Sequence, residues 1–210
     1  MRVVVASMNP DKLGELRELL RLPGVELVSL RDVPGAVAPE EHGATLADNA
    51  RIKARAAARL SGLPAIADDT GLEVAALDGR PGVHAARYAG PHATYSDNVA
   101  KLLTDLAGVP AERRDARFRT VCVACLPDGR ETIAEGVLEG RITERPRGDA
   151  GFGYDPVFEL QGEVPGTTPV QWRTLAELST VEKNGLSHRA RAVRNLRDAL
   201  QKLLGAPSAT

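Results

Sequence analysis

An unbroken apolar run, Val3 to Ala6, leads within a few residues into a stripe of leucines. Three consecutive valines read as a buried strand. Leu13, Leu16, Leu19 and Leu20 recur at helical spacing and share one face of a helix. The alternation then continues along the chain. A second helix starts at Thr45, with Asp48 three residues on as its capping partner. Its apolar stripe is Leu46, Ala50, Ala57 and Leu60. Leu63-Pro64 breaks it and leads to a short strand, Ala65 to Ala67. A third helix fits Thr94 to Leu106. Strands fit Phe118 to Leu126 and Thr132 to Val137, joined through the hairpin signal Asp128-Gly129. Residues 159–174, rich in Gly, Pro and Thr, read as a loop. A last helix runs from Ser187 to about Leu204 on the stripe Val193, Leu196, Leu200 and Leu203, and the tail 205–210 frays. Alternating strands and helices imply an α/β fold with a mixed sheet flanked by helices.

With 210 residues the chain suffices for one sizeable domain or two closely packed lobes. Its 28 acids balance 27 Lys and Arg, which argues against a generic nucleic-acid or membrane-surface binder. The apolar run behind Met1 is too short for a signal peptide or a membrane span, so a cytoplasmic location is expected. Cys122 and Cys125 have C-x-x-C spacing but lie in F-R-T-V-C-V-A-C-L, a strand pattern. Strand alternation points them to opposite faces, without the helix N-terminus of a redox pair or the extra ligands of a zinc site.

Three places suggest an anion site. In S-M-N-P-D-K, Asn9 is a good N-cap and Pro10 a good first helical residue. Lys12 then falls in the first turn, where free N–H groups already favour phosphate, and Ser7 and Asn9 add neutral donors. A capped surface helix with a solvated lysine is an equal reading, and the spacing is not that of a Walker loop. In S-H-R-A-R, His188 and Arg189 sit at a helix start, where cations oppose the dipole unless an anion or oxygen acceptor offsets them. Lys183 stands just upstream. Lys53 interrupts the apolar stripe of the second helix, and on spacing alone it snorkels to water rather than reaching into a polar cleft.

Aromatic residues are only 3% of the chain, yet three of the seven lie in G-F-G-Y-D-P-V-F. Phe152 between two glycines is a fair platform for a flat base, with Asp155 as an acceptor for a base edge. Packed aromatics pinning a loop are the commoner arrangement. A-I-A-D-D-T-G sets Asp68 and Asp69 side by side at the end of an apolar run, where like charges repel. A divalent cation would offset that repulsion. D-T-G also spells an aspartic-protease signature, but a chain with at least four helix patterns does not suit that mostly β class.

Taken together, S-M-N-P-D-K, E-E-H-G-A-T-L-A-D-N-A-R-I-K-A, A-D-D-T-G-L-E-V-A-A-L-D-G-R-P-G-V-H-A-A-R-Y, G-F-G-Y-D-P-V-F and E-K-N-G-L-S-H-R resemble the inosine triphosphate pyrophosphatase family, the XTP/dITP pyrophosphatases. The blocks fall in family order and span nearly the whole chain. The resemblance implies a single elongated domain of two lobes around an active-site cleft, usually a homodimer, that hydrolyses non-standard purine triphosphates with Mg2+ to a monophosphate and pyrophosphate. It implies that Ser7, Asn9, Lys12 and Lys53 hold the triphosphate. It gives Glu40 and Asp69, with Asp68 close by, to the metal, and makes Asp69 the general base. Thr70 would touch the substrate. Phe152 would stack on the purine, with Gly153, Tyr154 and Asp155 completing the pocket, and Lys183, His188 and Arg189 would read the base. The chain departs from the family at Met8, where glycine is usual, at Ala85, where serine is usual, and in a long 159–174 loop. The competing classes are a non-catalytic nucleotide sensor, which gains little from so many acids, and a pyrophosphatase for pyrimidine or methylated nucleotides, which does not suit the G-F-G-Y-D and S-H-R blocks.

Overall fold

The computed structural model describes residues 1–161 and 172–205. In chain order the strands and α-helices are β1 (Arg2–Val5), α1 (Pro10–Leu19), β2 (Glu26–Ser29), α2 (Leu46–Ser61), β3 (Ala65–Val74), β4 (Pro81–Gly82), α3 (Tyr95–Asp105), β5 (Asp115–Cys125), β6 (Glu131–Ile142), β7 (Phe158–Leu160), α4 (Thr180–Leu186) and α5 (His188–Leu204). The strands form one sheet in the order β2-β1-β3-β5-β6-β7, with β4 pairing β3. Pairing is parallel for β1 with β2 and β3, and antiparallel for β3 with β4 and β6 with β7. The sheet is therefore mixed, as the alternation of elements implies. Among the described residues no helix is long and apolar enough to cross a membrane.

The chain divides into two compact units, Met1–Asp69 with Thr120–Gly136 and Arg189–Thr210, and Thr70–Arg119 with Val137–His188. Each has its own core. In the first, Val3, Val5 and Ile66 of the parallel strands pack with Leu16 of α1 and with Val193, Leu196 and Leu200 of α5. In the second, Leu72 and Val74 of β3 join Leu102, Phe118, Val157 and Phe158. Burying these side chains supplies the main stabilisation of each unit, at roughly 25 cal/mol per Å² of apolar surface.

Local signals explain the helix starts. Asn9 caps α1 through its side chain, which accepts from the Asp11 N–H at 2.9 Å. Thr45 with Asp48 closes a capping box on α2, and Thr94 with Asp97 does the same on α3. Four expectations need correction. The strand expected to end at Val137 runs to Ile142. The strand at Ala65 runs ten residues, to Val74, not three. Leu60 does not join the buried stripe of α2; Asn49, Lys53, Ala54 and Ala58 do, and Leu60 is 49% exposed. The ends of the 159–174 segment are not loop: Glu159 and Leu160 belong to β7, and the Leu160 N–H donates to the Arg173 carbonyl at 3.0 Å. The interior of that segment, 162–171, and the tail residues 206–210 lie outside the described residues.

Candidate active site

Asp68 and Asp69 sit within β3, not at its end. Adjacent strand residues face opposite ways, and each carboxylate meets its own cations. Asp68 lies 3.2 Å from the Lys12 ammonium and 3.1 Å from the Arg189 guanidinium. Arg189 also pairs with Glu15. Asp69 lies 2.6 Å from Lys53, which is itself 3.4 Å from Glu41. All of these residues belong to the first unit.

The neighbouring helices deliver the cations. The Asn9 cap fixes Lys12 in the first turn of α1, with Glu15 three residues further along the same helix. The Thr45 capping box fixes α2, on which Asn49 and Lys53 stand one turn apart and face Asp69. The Asn49 side-chain oxygen accepts from the Gly43 N–H at 2.8 Å. A Cβ at Gly43 would lie 2.6 Å from that oxygen, so the E-E-H-G turn needs its glycine for this approach. Lys53 does not snorkel: only 8% of it is exposed, because a carboxylate on β3 gives its charge a nearer partner than water.

Burial and pairing split the two aspartates. Burial works to raise the Asp68 carboxyl, but Lys12, Arg189 and Lys53 outweigh it and hold the group well below its ordinary value. Burial dominates at Asp69 and pushes its carboxyl above the ordinary value despite Lys53 and Lys12. Burial lowers the Lys12 ammonium, reinforced by the like charges of Lys53 and Arg189. Burial also opposes the charge of Lys53, but Asp69, Asp68 and Glu41 hold that ammonium above its ordinary value. Cys122, in the same core, is inert: burial pushes its thiol up to about 12. The Cys125 thiol donates to the Leu126 carbonyl.

The second unit carries a different cluster. Asp155 is 3% exposed; it pairs with Lys183 at 2.7 Å and accepts from the Phe152 N–H at 2.9 Å. The Lys183 ammonium stands 5.0 Å from the centre of the Phe152 ring. Gly151 has φ +74°, and a Cβ there would lie 2.1 Å from the Asp155 carboxylate. Tyr154 is a core residue whose hydroxyl donates to the Ala85 carbonyl at 2.9 Å. His188 is buried and stacked on Phe118, with centroids 4.4 Å apart. Gly153 has φ +65° and open space where a Cβ would stand.

Of the other residues singled out in the sequence, Ser7 accepts from the Asn9 N–H at 3.2 Å and Thr70 is half-buried just beyond Asp69 on β3. Glu40 is exposed, and it is its neighbour Glu41 that reaches Lys53. Met8 does not adopt the left-handed backbone that favours glycine, and its carbonyl accepts from Arg31. Ala85 contributes its carbonyl and a buried methyl. Sequence reasoning missed Glu15, Asn49 and Gly151. The spacing Lys12 to Glu15 and Asn49 to Lys53, three and four residues on one helix face, was the available signal for two of them.

A mixed α/β fold with a central strand carrying two buried aspartates, each matched to a lysine from a flanking helix, concentrates opposite charges in the first unit. Residues 3–199 match the Ham1 family, and the chain belongs to it. It is 51% identical over 207 residues to a protein of Methylococcus capsulatus named dITP/XTP pyrophosphatase, covering 97% of this chain and 98% of that one. A Geobacillus kaustophilus protein of the same name is 45% identical over 208 residues, covering 99% and 98%. The solved structure of a HAM1 protein from Coxiella burnetii superposes with a TM-score of 0.81 at 41% identity, over 96% of this chain and 99% of that one.

Proposed function

We propose that the protein hydrolyses non-standard purine nucleoside triphosphates, dITP, ITP and XTP, between the α- and β-phosphates, releasing the monophosphate and pyrophosphate. The observation that carries this reading is the pairing of Asp68 and Asp69 with Lys12, Arg189 and Lys53 on β3. Full-length relatives at 45% and 51% identity named dITP/XTP pyrophosphatase support it.

Lys12 and Lys53 are the cations for the phosphates, with Ser7 and Asn9 at the turn before α1. In this cluster three cations meet four carboxylates, Asp68, Asp69, Glu15 and Glu41, so the protein groups alone do not favour a polyanion. A hard divalent cation reverses that balance, and carboxylate oxygens are its preferred ligands. The donor set fits Mg2+: Asp69 and an acid from Glu40–Glu41 would hold it, with Asp68 nearby. Among the described residues no group of three or more His, Cys, Asp or Glu converges tightly enough to hold a metal by protein ligands alone. When bound, Mg2+ would neutralise phosphate charge and stabilise the leaving pyrophosphate.

Asp69 takes the proton of the attacking water. Its carboxyl lies above the ordinary value because of burial, which makes it a better base than a solvated aspartate. Asp68, held ionised by its cations, keeps Lys12 and Arg189 in place. Phe152 stacks on the purine, supported by Gly153 and Asp155. Lys183, His188 and Arg189 read the base, and Thr70 touches the substrate. Tyr154 serves the pocket from the core through Ala85. The chain works as one functional domain, as a cytoplasmic homodimer.

Pyrophosphate release is measured with Mg2+ and dITP, XTP, ATP, GTP or dTTP. Faster release from dITP and XTP than from the others is expected. No release from dITP or XTP, or equal rates on ATP, would overturn the reading.

A further inference from the structure

Phe152 also has an aromatic neighbour. The Tyr95 ring lies 5.7 Å from it between centroids, at an interplanar angle of 35°. In a chain with three Phe, three Tyr and one Trp, such a pair is not a by-product of abundance. Tyr95 is 44% exposed and does not belong to the apolar core of its unit, so filling that core does not account for its position. It is also set on a rigid base. It is the first residue of α3, and the Thr94–Asp97 capping box closes around it: the Thr94 N–H donates to Asp97 at 2.8 Å and the Asp97 N–H donates back to the Thr94 hydroxyl at 3.2 Å.

Phe152, by contrast, is on a loop between two glycines with positive φ. Its backbone is tied by the bond to Asp155, but that bond does not fix the torsions of its ring. The Lys183 ammonium and the Tyr95 ring both stand against that ring. A flat stacking surface is useful only if its orientation is set before the ligand arrives, because ordering it at binding weakens affinity.

We propose that Tyr95 is a positioning residue for purine recognition, bracing the Phe152 ring from the capped start of α3. The proposal rests on the reading of Phe152 as the base platform. Tyr95 acts on the base through Phe152, so its loss changes substrate affinity and not the chemistry at Asp69.

Steady-state kinetics on dITP with Tyr95→Ala and Tyr95→Phe test this, alongside competitive inhibition by inorganic tripolyphosphate, which has no base. Tyr95→Ala is expected to raise KM about three- to tenfold with kcat within twofold, as loss of one aromatic pair predicts. Tyr95→Phe, which keeps the ring, is expected to stay within twofold of wild type. Tripolyphosphate inhibition is expected to be equal in all three proteins. An unchanged KM in Tyr95→Ala would overturn the proposal, as would a lower KM, which would mean that Tyr95 shields Phe152 from the base. Equal weakening of tripolyphosphate would overturn it too, by showing a general structural effect. Failure of the wild-type protein to release pyrophosphate from dITP would instead sink the functional reading itself.

Discussion

Asp69 and Asp155 are both buried carboxylates with a lysine at hydrogen-bond distance, 2.6 Å for Lys53 and 2.7 Å for Lys183. Their surroundings differ. Asp69 belongs to a crowd of charges in which Lys53 also answers to Glu41, and Lys12 and Arg189 converge on Asp68 next door. Asp155 pairs with Lys183 and also does mechanical work: it holds the Phe152 N–H, and Gly151 leaves it the room to do so. A dense group of charges changes its balance when another charge enters, which suits a site for phosphates and a metal. A pair tied to a backbone N–H fixes geometry, which suits recognition of a neutral base. In the proposed function the same residue pair serves electrostatics in one unit and positioning in the other.

The largest effect expected separates these roles at once. Asp69→Asn keeps the shape and removes the proposed base, so kcat on dITP should fall on the order of 10²- to 10⁴-fold while nucleotide binding, measured by calorimetry, stays within tenfold. Asp155→Asn should leave kcat within about threefold and act on KM, because it loosens Lys183 and Phe152 without touching the reacting atoms. If both variants lose kcat alike, the contrast between the two pairs is wrong. Near-full activity in Asp69→Asn would remove that residue from the base role.

A second test asks whether the charges around Asp68 stabilise the fold as well as the site. Arg189→Met takes one of its cations from the buried Asp68 carboxylate, while Lys12 at 3.2 Å stays. Breaking a buried pair by removing one partner costs about 3 kcal/mol or more, and Tm should fall by roughly 6–12 °C in a chain of this size. The pH dependence has a definite sign. The folded Asp68 carboxyl lies below its ordinary 3.8, so its contribution is fully present above that value and is lost as pH falls through the folded value. Arg189→Met removes one of the cations responsible, so acid unfolding should begin at a higher pH than in wild type. Coincident acid-unfolding curves would show that Arg189 does not hold Asp68.

Much of this was legible in the sequence where one local rule acted without a competitor. The caps at Asn9, Thr45 and Thr94 place their helices to within a residue. Reading failed where glycine interrupts a strand. D-T-G looked like a terminus, yet β3 continues through Gly71 to Val74 because Leu72 and Val74 are needed in the second core. Val137 looked like the end of β6, but the strand reaches Ile142, and Gly140 is there because a Cβ would meet the Phe158 ring at 2.5 Å. Lys53 shows the same limit for charge. Spacing put it among apolar residues and favoured water, and only the partner strand reveals Asp69 as a nearer solution. Pair partners distant in sequence, such as Arg189 with Asp68, leave no local mark at all.

A smaller effect than either tests whether the positioning half is as delicate as its geometry implies. Gly151 adopts φ +74°, which costs a side-chain-bearing residue about 1 kcal/mol, and an added Cβ would stand 2.1 Å from an Asp155 oxygen and 3.2 Å from the Lys183 ammonium. Gly151→Ala cannot keep all three groups where they are. The Asp155 side chain is short and already committed to the Phe152 N–H, so the loop must shift with it. The expected result is a rise of about tenfold in KM for dITP, with kcat within threefold and tripolyphosphate inhibition unchanged, since the charges around Asp69 belong to the other unit. A loss confined to kcat would mean that the loop carries the reacting groups, and the division between electrostatics and positioning would fall with it.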